Sequence, residues 1–388
     1  MKVCLISGEF PPMVGGMGDY TKELAEALAK LGNRVSVLTS VLGQEGGESF
    51  ALYPRVSKWD FSSWRAILGL LREIEPQILH LQYQAAAYGM HPAINLLPWR
   101  LRLVRPLPLL FITFHDLRVP YLFPKAGPVR RGAIAALAKG CDGVIVTNVQ
   151  DEAEARGYGL KPYLIPIGSN ISPRLPPGYD REEWRARWGV GDGTLLSYFG
   201  LLHESKGVET LLRALARLIE RGERIKLLMV GGKTGASDPT TTDYAHRMEA
   251  LWRELGLADR LLWTGYVDDE EVSANLLASD ICVLPYKDGV SLRRGSLMAA
   301  LAHGLPIIST RPSIQVKELM EGENIVLVPP DDVEALAAKI QELTASEGLR
   351  HRLGEGALAL AQEFSWDKIA KRTKEVYEEA WASSRLSG

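Results

Sequence analysis

Short apolar runs alternate with amphipathic stretches along nearly the whole chain, and this alternation predicts its elements. In the N-terminal part, strands are predicted at Val3–Ser7, Val35–Thr39, Ile78–Leu81, Leu109–Thr113, Gly143–Thr147 and Tyr163–Pro166. Between them lie helical patterns such as Asp19–Leu31, where Leu24, Ala27, Leu28 and Leu31 share one face. The stretch from Gly168 to Gly193 has no strand period and is rich in Pro and Gly. Its main part, 171–193, reads as a linker carrying a short helix. The alternation then restarts with strands at Leu195–Phe199, Lys226–Val230, Leu261–Thr264, Ile281–Leu284, Ile307–Ser309 and Ile325–Val328. Helices are predicted at Gly207–Glu220, Tyr244–Leu255, Glu270–Ala278, Arg293–His303 and Val333–Thr344, with Leu349–Glu363 and Trp366–Trp381 closing the chain. Strands separated by helices give an α/β architecture of two tandem Rossmann-like domains, 1–170 and 194–364, with 365–388 as a closing helix. Ligands of such sheets bind beyond the C-terminal strand ends, so the expectation is one cleft between two facing domains.

Composition narrows the class. A length of 388 residues suits two domains of ordinary size. Lys plus Arg (45) nearly balance Asp plus Glu (47), which argues against a nucleic-acid binder. Cys4, Cys141 and Cys282 are too scattered for a disulfide framework or zinc cluster and read as small core residues. The opening MKVCLISGEF runs straight into a strand, and no apolar run reaches the roughly 18 residues of a membrane span. The expectation is a cytoplasmic, soluble chain.

Four segments carry chemistry. In GEFPPMVGGMGDYTKEL, Gly15, Gly16 and Gly18 precede Asp19, a candidate N-cap, and glycines there let a phosphate or sugar approach the backbone. The spacing fails as a dinucleotide fingerprint, because Thr21 stands where a third glycine is needed. In TFHDL, His115 and Asp116 follow a strand at its ligand-binding end, where an imidazole can bond a substrate hydroxyl; His80 and His91 read as structural. In FGLLHESKGVETLL, Lys206 precedes a helix whose dipole opposes it, which favours a phosphate ligand. In YKDGVSLRRGSLMAALAHGLPIIST, Asp288 projects from a loop, and the amides of Gly289, Val290, Ser291 and Leu292 form a pyrophosphate cradle. Arg293 or Arg294 supplies a bidentate clamp. The acidic run Asp268–Glu271 reads as a helix cap, and no spacing suits a protein-held metal.

With these residues in view, the chain resembles the retaining glycosyltransferases of family 4, which have the GT-B fold. The resemblance rests on the Gly-Gly-x-Gly turn at 15–18, His115-Asp116, the strand-loop-Lys206-Gly207 segment, Gly231-Gly232 and Gly265-Tyr266-Val267. Ala300-x-x-x-Gly304-x-Pro306 and Phe364-Ser365-Trp366 complete it. It implies an N-terminal acceptor domain, a C-terminal donor domain and a final helix that crosses back to the N-terminal domain. Gly232, Tyr266 and Val267 are then the base-binding candidates. In the family an Arg-then-Lys pair binds the donor pyrophosphate; here Lys206 matches the lysine while Leu201 stands at the arginine. Asp288 falls at the first of two family glutamates and Ser296 at the second, which usually holds the donor ribose. Arg293 or Arg294 would replace the missing arginine, and Ser296 would hold the ribose weakly.

The implied reaction moves a sugar from a nucleotide-diphosphate sugar to an acceptor hydroxyl on a glycan, a lipid-linked molecule or a small molecule. It retains configuration and uses neither metal nor cofactor. His115 and Asp288 are the implied catalytic residues, Gly16 packs near the diphosphate and acceptor, and domain closure completes the site. Two alternatives stand beside it: a degenerate sugar-nucleotide binding subunit and a nucleotide-sugar epimerase. The segment PWRLRLVRPLPLLF sets Trp99, Arg100, Arg102 and Arg105 beside apolar residues, and Arg130 and Arg131 add charge. It reads equally as a face for anionic lipid or as an ordinary solvated helix face.

Overall fold

A computed structural model describes the chain except for residues 14, 45, 104–105, 118–126, 233–238 and 387–388; the side chains of 127–130, 239–242 and 386 also lie outside the description. The chain divides into two compact units, Met1–Gly168 with Ser365–Gly388, and Ser169–Phe364.

In the first unit the strands are β1 (Lys2–Ser7), β2 (Arg34–Ser40), β3 (Ala51–Val56), β4 (Ile78–Tyr83), β5 (Leu109–Phe114), β6 (Gly143–Val146) and β7 (Tyr163–Leu164). They form a parallel sheet in the order β3-β2-β1-β4-β5-β6-β7. Its helices are α1 (Gly16–Lys30), α2 (Ser63–Ile74), α3 (Ala93–Leu101), α4 (Gly127–Lys139) and α5 (Val149–Gly157). The sequence pattern misses β3. That strand contains Pro54, is largely solvent-facing and pairs at the sheet edge beside an irregularity at Thr39 and Ser40, where proline is tolerated. Two apolar cores cover the two faces of the sheet.

The second unit begins with α6 (Arg181–Arg187). It continues through β8 (Thr194–Phe199), α7 (Val208–Glu220), β9 (Ile225–Val230), α8 (Pro239–Glu254), β10 (Leu261–Trp263), α9 (Asp269–Ala278) and β11 (Ile281–Leu284). α10 (Gly295–Ala302), β12 (Ile307–Thr310), β13 (Val326–Val328), α11 (Val333–Ala345) and α12 (Glu347–Ala361) complete it. The sheet order is β10-β9-β8-β11-β12-β13, again all parallel. In both sheets the strand order reverses beside the first strand of the unit, between β1 and β4 and between β8 and β11. Such crevices hold ligands in doubly wound folds.

α13 (Trp366–Leu386) belongs to the first unit, packing Ile369, Ala370, Val376 and Tyr377 into the core on the α1 side. Its anchor is polar: the fully buried His80 of β4 bridges the Tyr377 hydroxyl (2.5 Å) and the Thr113 hydroxyl (2.8 Å). Burial pushes the His80 pKa down to about 3, so the ring sits neutral between two hydroxyls. Asp268 caps α9 by accepting from the Glu271 amide, as the acidic run suggests. Cys4 and Cys282 are buried and Cys141 is partly buried, all as free thiols.

Candidate functional site

In the second unit, the loops after β8 and β11 are built as one piece. The Lys287 amide donates to the Ser205 carbonyl (2.9 Å), and Gly207 packs so tightly that a Cβ there would lie 1.8 Å from the Pro285 oxygen. Gly207 also has φ +67, so glycine is required twice over. It opens α7 directly after the single 3-10 turn Glu204–Lys206. Lys206 is thereby held at the β8/β11 crevice.

Three cations gather on one carboxylate and one ring there. Arg294 ion-pairs Asp288 in a very short contact, and Arg293 reaches the other Asp288 oxygen at 3.7 Å. The Tyr286 ring lies 4.7 Å from the Arg294 guanidinium and 5.2 Å from Lys206 Nζ. Burial, with Arg294 and Arg293 opposing the charge and Asp288 supporting it, pushes the Lys206 pKa down to about 7. Arg294 Nε and the Ser291 hydroxyl are buried without a hydrogen-bond partner. Excess positive charge with unspent donors suits a polyanion such as a diphosphate.

Several expectations need correction at this loop. The helix begins at Gly295 rather than Arg293; Arg294 is its N-cap and Arg293 lies in the preceding turn. The proposed amide cradle loses two donors, because the Gly289 amide donates to the Tyr286 carbonyl (3.3 Å) and the Val290 amide to the Thr310 carbonyl (3.1 Å). The Val290 bond holds the loop against β12, and the Ser291 and Leu292 amides remain as candidates beside the side chains. Val290, Ser291 and Leu292 are buried. Ser296 is buried too, and its hydroxyl pairs with the Tyr286 hydroxyl at 2.7 Å. That bond fastens the ring on which the cations rest and takes one of the hydrogen-bonding positions of the Ser296 hydroxyl.

The base-binding candidates meet at the ends of β9 and β10. Gly231 and Gly265 form an isolated antiparallel bridge, the Gly231 amide donates to the Thr264 hydroxyl, and Trp263 Nε1 donates to the Gly231 carbonyl. Gly232 and Val267 are partly exposed and Tyr266 is 74% exposed. A Cβ on Gly231 would lie 3.9 Å from Gly200, and one on Gly200 would lie 3.9 Å from Ser296. The two groups of candidates are therefore neighbours along the same strand ends.

In the first unit, His115 follows β5 directly. Its amide extends the ladder to the Tyr83 carbonyl (3.0 Å), its Nε2 meets Gln82 Oε1 (3.0 Å), and Tyr20 lies edge-on at 4.6 Å. Burial pushes its pKa down to about 3. At the glycine turn, α1 begins at Gly16 with Gly15 as N-cap, so Asp19 falls inside the first turn and does not cap. Glu9 does that work instead. Its carboxylate accepts from the Met17 and Gly18 amides, and burial opposes these bonds strongly enough to raise its pKa. A Cβ on Gly15 would lie 2.1 Å from the Glu9 carboxylate, whereas Gly16 has open space around it. The sequence reading missed Glu9, Gln82 and Tyr286, which carry no motif of their own.

Two parallel-sheet units in tandem, each doubly wound, are the architecture of the GT-B glycosyltransferases. The profile for Glycosyltransferase Family 4 matches residues 14–172 and that for Glycosyl transferases group 1 matches residues 193–346; the chain belongs to family 4. It is similar to the D-inositol 3-phosphate glycosyltransferase of Streptomyces bingchenggensis, 30% identical over 62% of this chain and about half (54%) of that protein. It is also similar to the one from Corynebacterium efficiens, 27% identical over 98% of this chain and 96% of that protein. Among solved structures, sucrose-phosphate synthase from Thermosynechococcus elongatus aligns with TM-score 0.75 and 25% identity over 99% of this chain and 100% of that one. HepE from Anabaena in complex with UDP aligns with TM-score 0.75 and 17% identity over 98% and 100%.

Proposed function

We propose that this glycosyltransferase takes a nucleotide-diphosphate sugar as donor and transfers the sugar to an acceptor hydroxyl with retention, without a metal or cofactor. The observation that carries this reading is the convergence of Lys206, Arg293 and Arg294 at the β8/β11 crevice. The bond between the anomeric carbon and the diphosphate oxygen breaks, and the pair of electrons leaves with the diphosphate. The three cations stabilise that charge where a divalent ion would otherwise serve. The acceptor oxygen then bonds the same face of the anomeric carbon, and its proton passes to the departing phosphate oxygen. Asp288 is assigned to the sugar hydroxyls or the developing positive charge. It is released for that role when the diphosphate takes its arginines. His115 is assigned to the donor sugar, Gly16 to the diphosphate and acceptor, and Gly232, Tyr266 and Val267 to the base.

A metal-free thermal-shift panel of UDP, GDP and ADP with their sugars tests this. A nucleotide at 100 times its Kd should stabilise the fold by about 2.7 kcal/mol, and Lys206→Ala should remove the shift. No shift from any of them at millimolar concentration would sink the donor reading and favour the binding-subunit or epimerase alternatives.

Membrane contact by the acceptor-side unit is supported by one specific feature. Leu96, Trp99 and Leu103 are exposed at helical spacing on and just after α3, with Leu107 also exposed and the Arg102 guanidinium 4.3 Å over the Trp99 ring. Arg131 of α4 is exposed, while Arg105 and the Arg130 side chain lie outside the described residues. An apolar ridge rimmed by arginine is the pattern of an interfacial anchor for anionic lipid. Among the described residues no helix is long and apolar enough to cross a membrane. Binding to phosphatidylglycerol vesicles at low salt is expected, weakened by Trp99→Ser with Leu103→Ser; no co-sedimentation at low salt would overturn it.

A further inference from the structure

The β4 residue that the His115 ring meets, Gln82, has no role in the reading above, yet it decides what the imidazole can do. Gln82 is fully buried, and its backbone carbonyl accepts from the buried Tyr88 hydroxyl at 2.6 Å. Its register partner on β5 is Thr113, two residues before His115, so the two side chains emerge on one face. A carbonyl oxygen only accepts, so the His115 nitrogen facing Gln82 Oε1 carries the ring proton, and Nδ1 keeps a free lone pair.

We propose that Gln82 is a positioning residue that holds His115 as a neutral imidazole in one tautomer, with Nε2–H bonded to Gln82 Oε1 and Nδ1 presented as an acceptor for a sugar hydroxyl. This rests on the assignment of His115 to the donor sugar. His115 is then a hydrogen-bond acceptor and no general acid: it fixes the rotation of a hydroxyl without exchanging protons. The groups facing it among the described residues are Tyr20 from α1 and Gln82 and His80 from β4, with Asp116 next in the chain. Tyr20 is itself backed by Trp366 of α13 at 5.1 Å. Burial keeps the ring neutral through the physiological range. Gln82 Nε2 is buried with no partner. A position selected for stability alone would hold an apolar side chain; an amide kept at that cost points to the bond its oxygen makes.

Histidine-selective 15N labelling of the full chain, with His115 assigned by comparison with His115→Ala, reads the ring directly. The expected wild-type spectrum shows Nε2 protonated and Nδ1 bare, unchanged between pH 8 and pH 5. Gln82→Leu should scramble the tautomers. Gln82→Glu keeps an acceptor oxygen in place and adds a charge, which should raise the His115 pKa by roughly 1 to 3. Its ring should therefore begin to protonate between pH 6 and pH 4, where the wild type stays neutral. If Gln82→Leu does not fold, the wild-type and Gln82→Glu spectra still decide. A wild-type ring protonated at Nδ1, a wild-type ring titrating near pH 6.5, or a Gln82→Glu ring that stays neutral down to pH 4 would overturn the proposal. Failure of the His115 assignment would show separately, as full sugar transfer by His115→Ala with the wild-type tautomer as expected.

Discussion

Lys206→Ala is expected to lower sugar transfer by about 10²–10³-fold, the usual consequence of removing one preorganised group that faces developing negative charge. The loss should be largest in turnover, because the leaving diphosphate gains charge as the bond breaks. Arg294→Ala should approach it, since both cations rest on the Tyr286 ring. Leu201→Arg should restore part of the activity of Arg294→Ala, because Leu201 follows Gly200, where an added Cβ would lie 3.9 Å from the Ser296 Cβ at the start of α10. If Lys206→Ala and Arg294→Ala turn over at the wild-type rate, the cation cluster has no part in the chemistry.

The same lysine gives the reaction a pH signature. Its pKa in the empty site is about 7, so above pH 7 the ligand-free protein holds it neutral and a bound diphosphate must draw a proton. Donor affinity should therefore weaken as pH rises through 7, by up to about tenfold per pH unit, and Lys206→Met should lack this slope. Folding stability runs the other way. The unfolded lysine titrates near its ordinary 10.5, so between 7 and 10.5 the unfolded chain binds more protons than the folded one, and stability rises with pH. Urea midpoints at several pH values in that window check the sign, with Lys206→Met as the flat control.

The architecture was legible because buried parallel strands are nearly continuous apolar runs, and twelve of them stood out. β3 did not, since an edge strand containing Pro54 can be largely solvent-exposed and loses the pattern. Of the site, the charged residues were legible. Lysine and arginine beside a helix N-terminus conflict with the dipole and invite a ligand. The partners of those residues were hidden. Tyr286 lies past the end of one predicted strand, Gln82 just past another, and Glu9 in the Gly- and Pro-rich turn after the first. Each matters through a contact made only when distant segments fold together. The amide cradle shrank for a similar reason: spacing shows that Gly289 and Val290 have amides, while the fold decides that β12 and the loop itself consume one each.

The segment read as a linker conceals a substitution costly to stability. Arg185 of α6 is only 6% exposed. It donates to the Ala278 carbonyl (2.9 Å), to Asp280 (2.9 Å) and to the Gly193 carbonyl (2.8 Å). Asp280 in turn accepts from the Leu195 amide (2.8 Å) at the start of β8, so one partly buried pair ties α6, the end of α9 and the entries of β8 and β11 together. Beside it, Trp184 and Trp188 both donate to Asn275 of α9, at 3.0 and 2.9 Å. Arg185→Ala leaves two carbonyls short of a donor and takes one of two arginines from the Asp280 carboxylate, which is 14% exposed; unmade buried hydrogen bonds of this kind cost about 1–3 kcal/mol each. Arg185→Lys should recover only part, because an ammonium cannot serve three acceptors spread along a planar fork. Arg181 also pairs with Asp280, but its side chain is 42% exposed, so Arg181→Ala should cost no more than about 1 kcal/mol. Hydrogen exchange should report the Arg185→Ala loss in β8, α9 and β11, with α1 and β1 of the first unit unchanged. An Arg185→Ala protein as protected throughout as the wild type would mean that solvent replaces all three contacts and that the 171–193 segment is the linker its composition suggested.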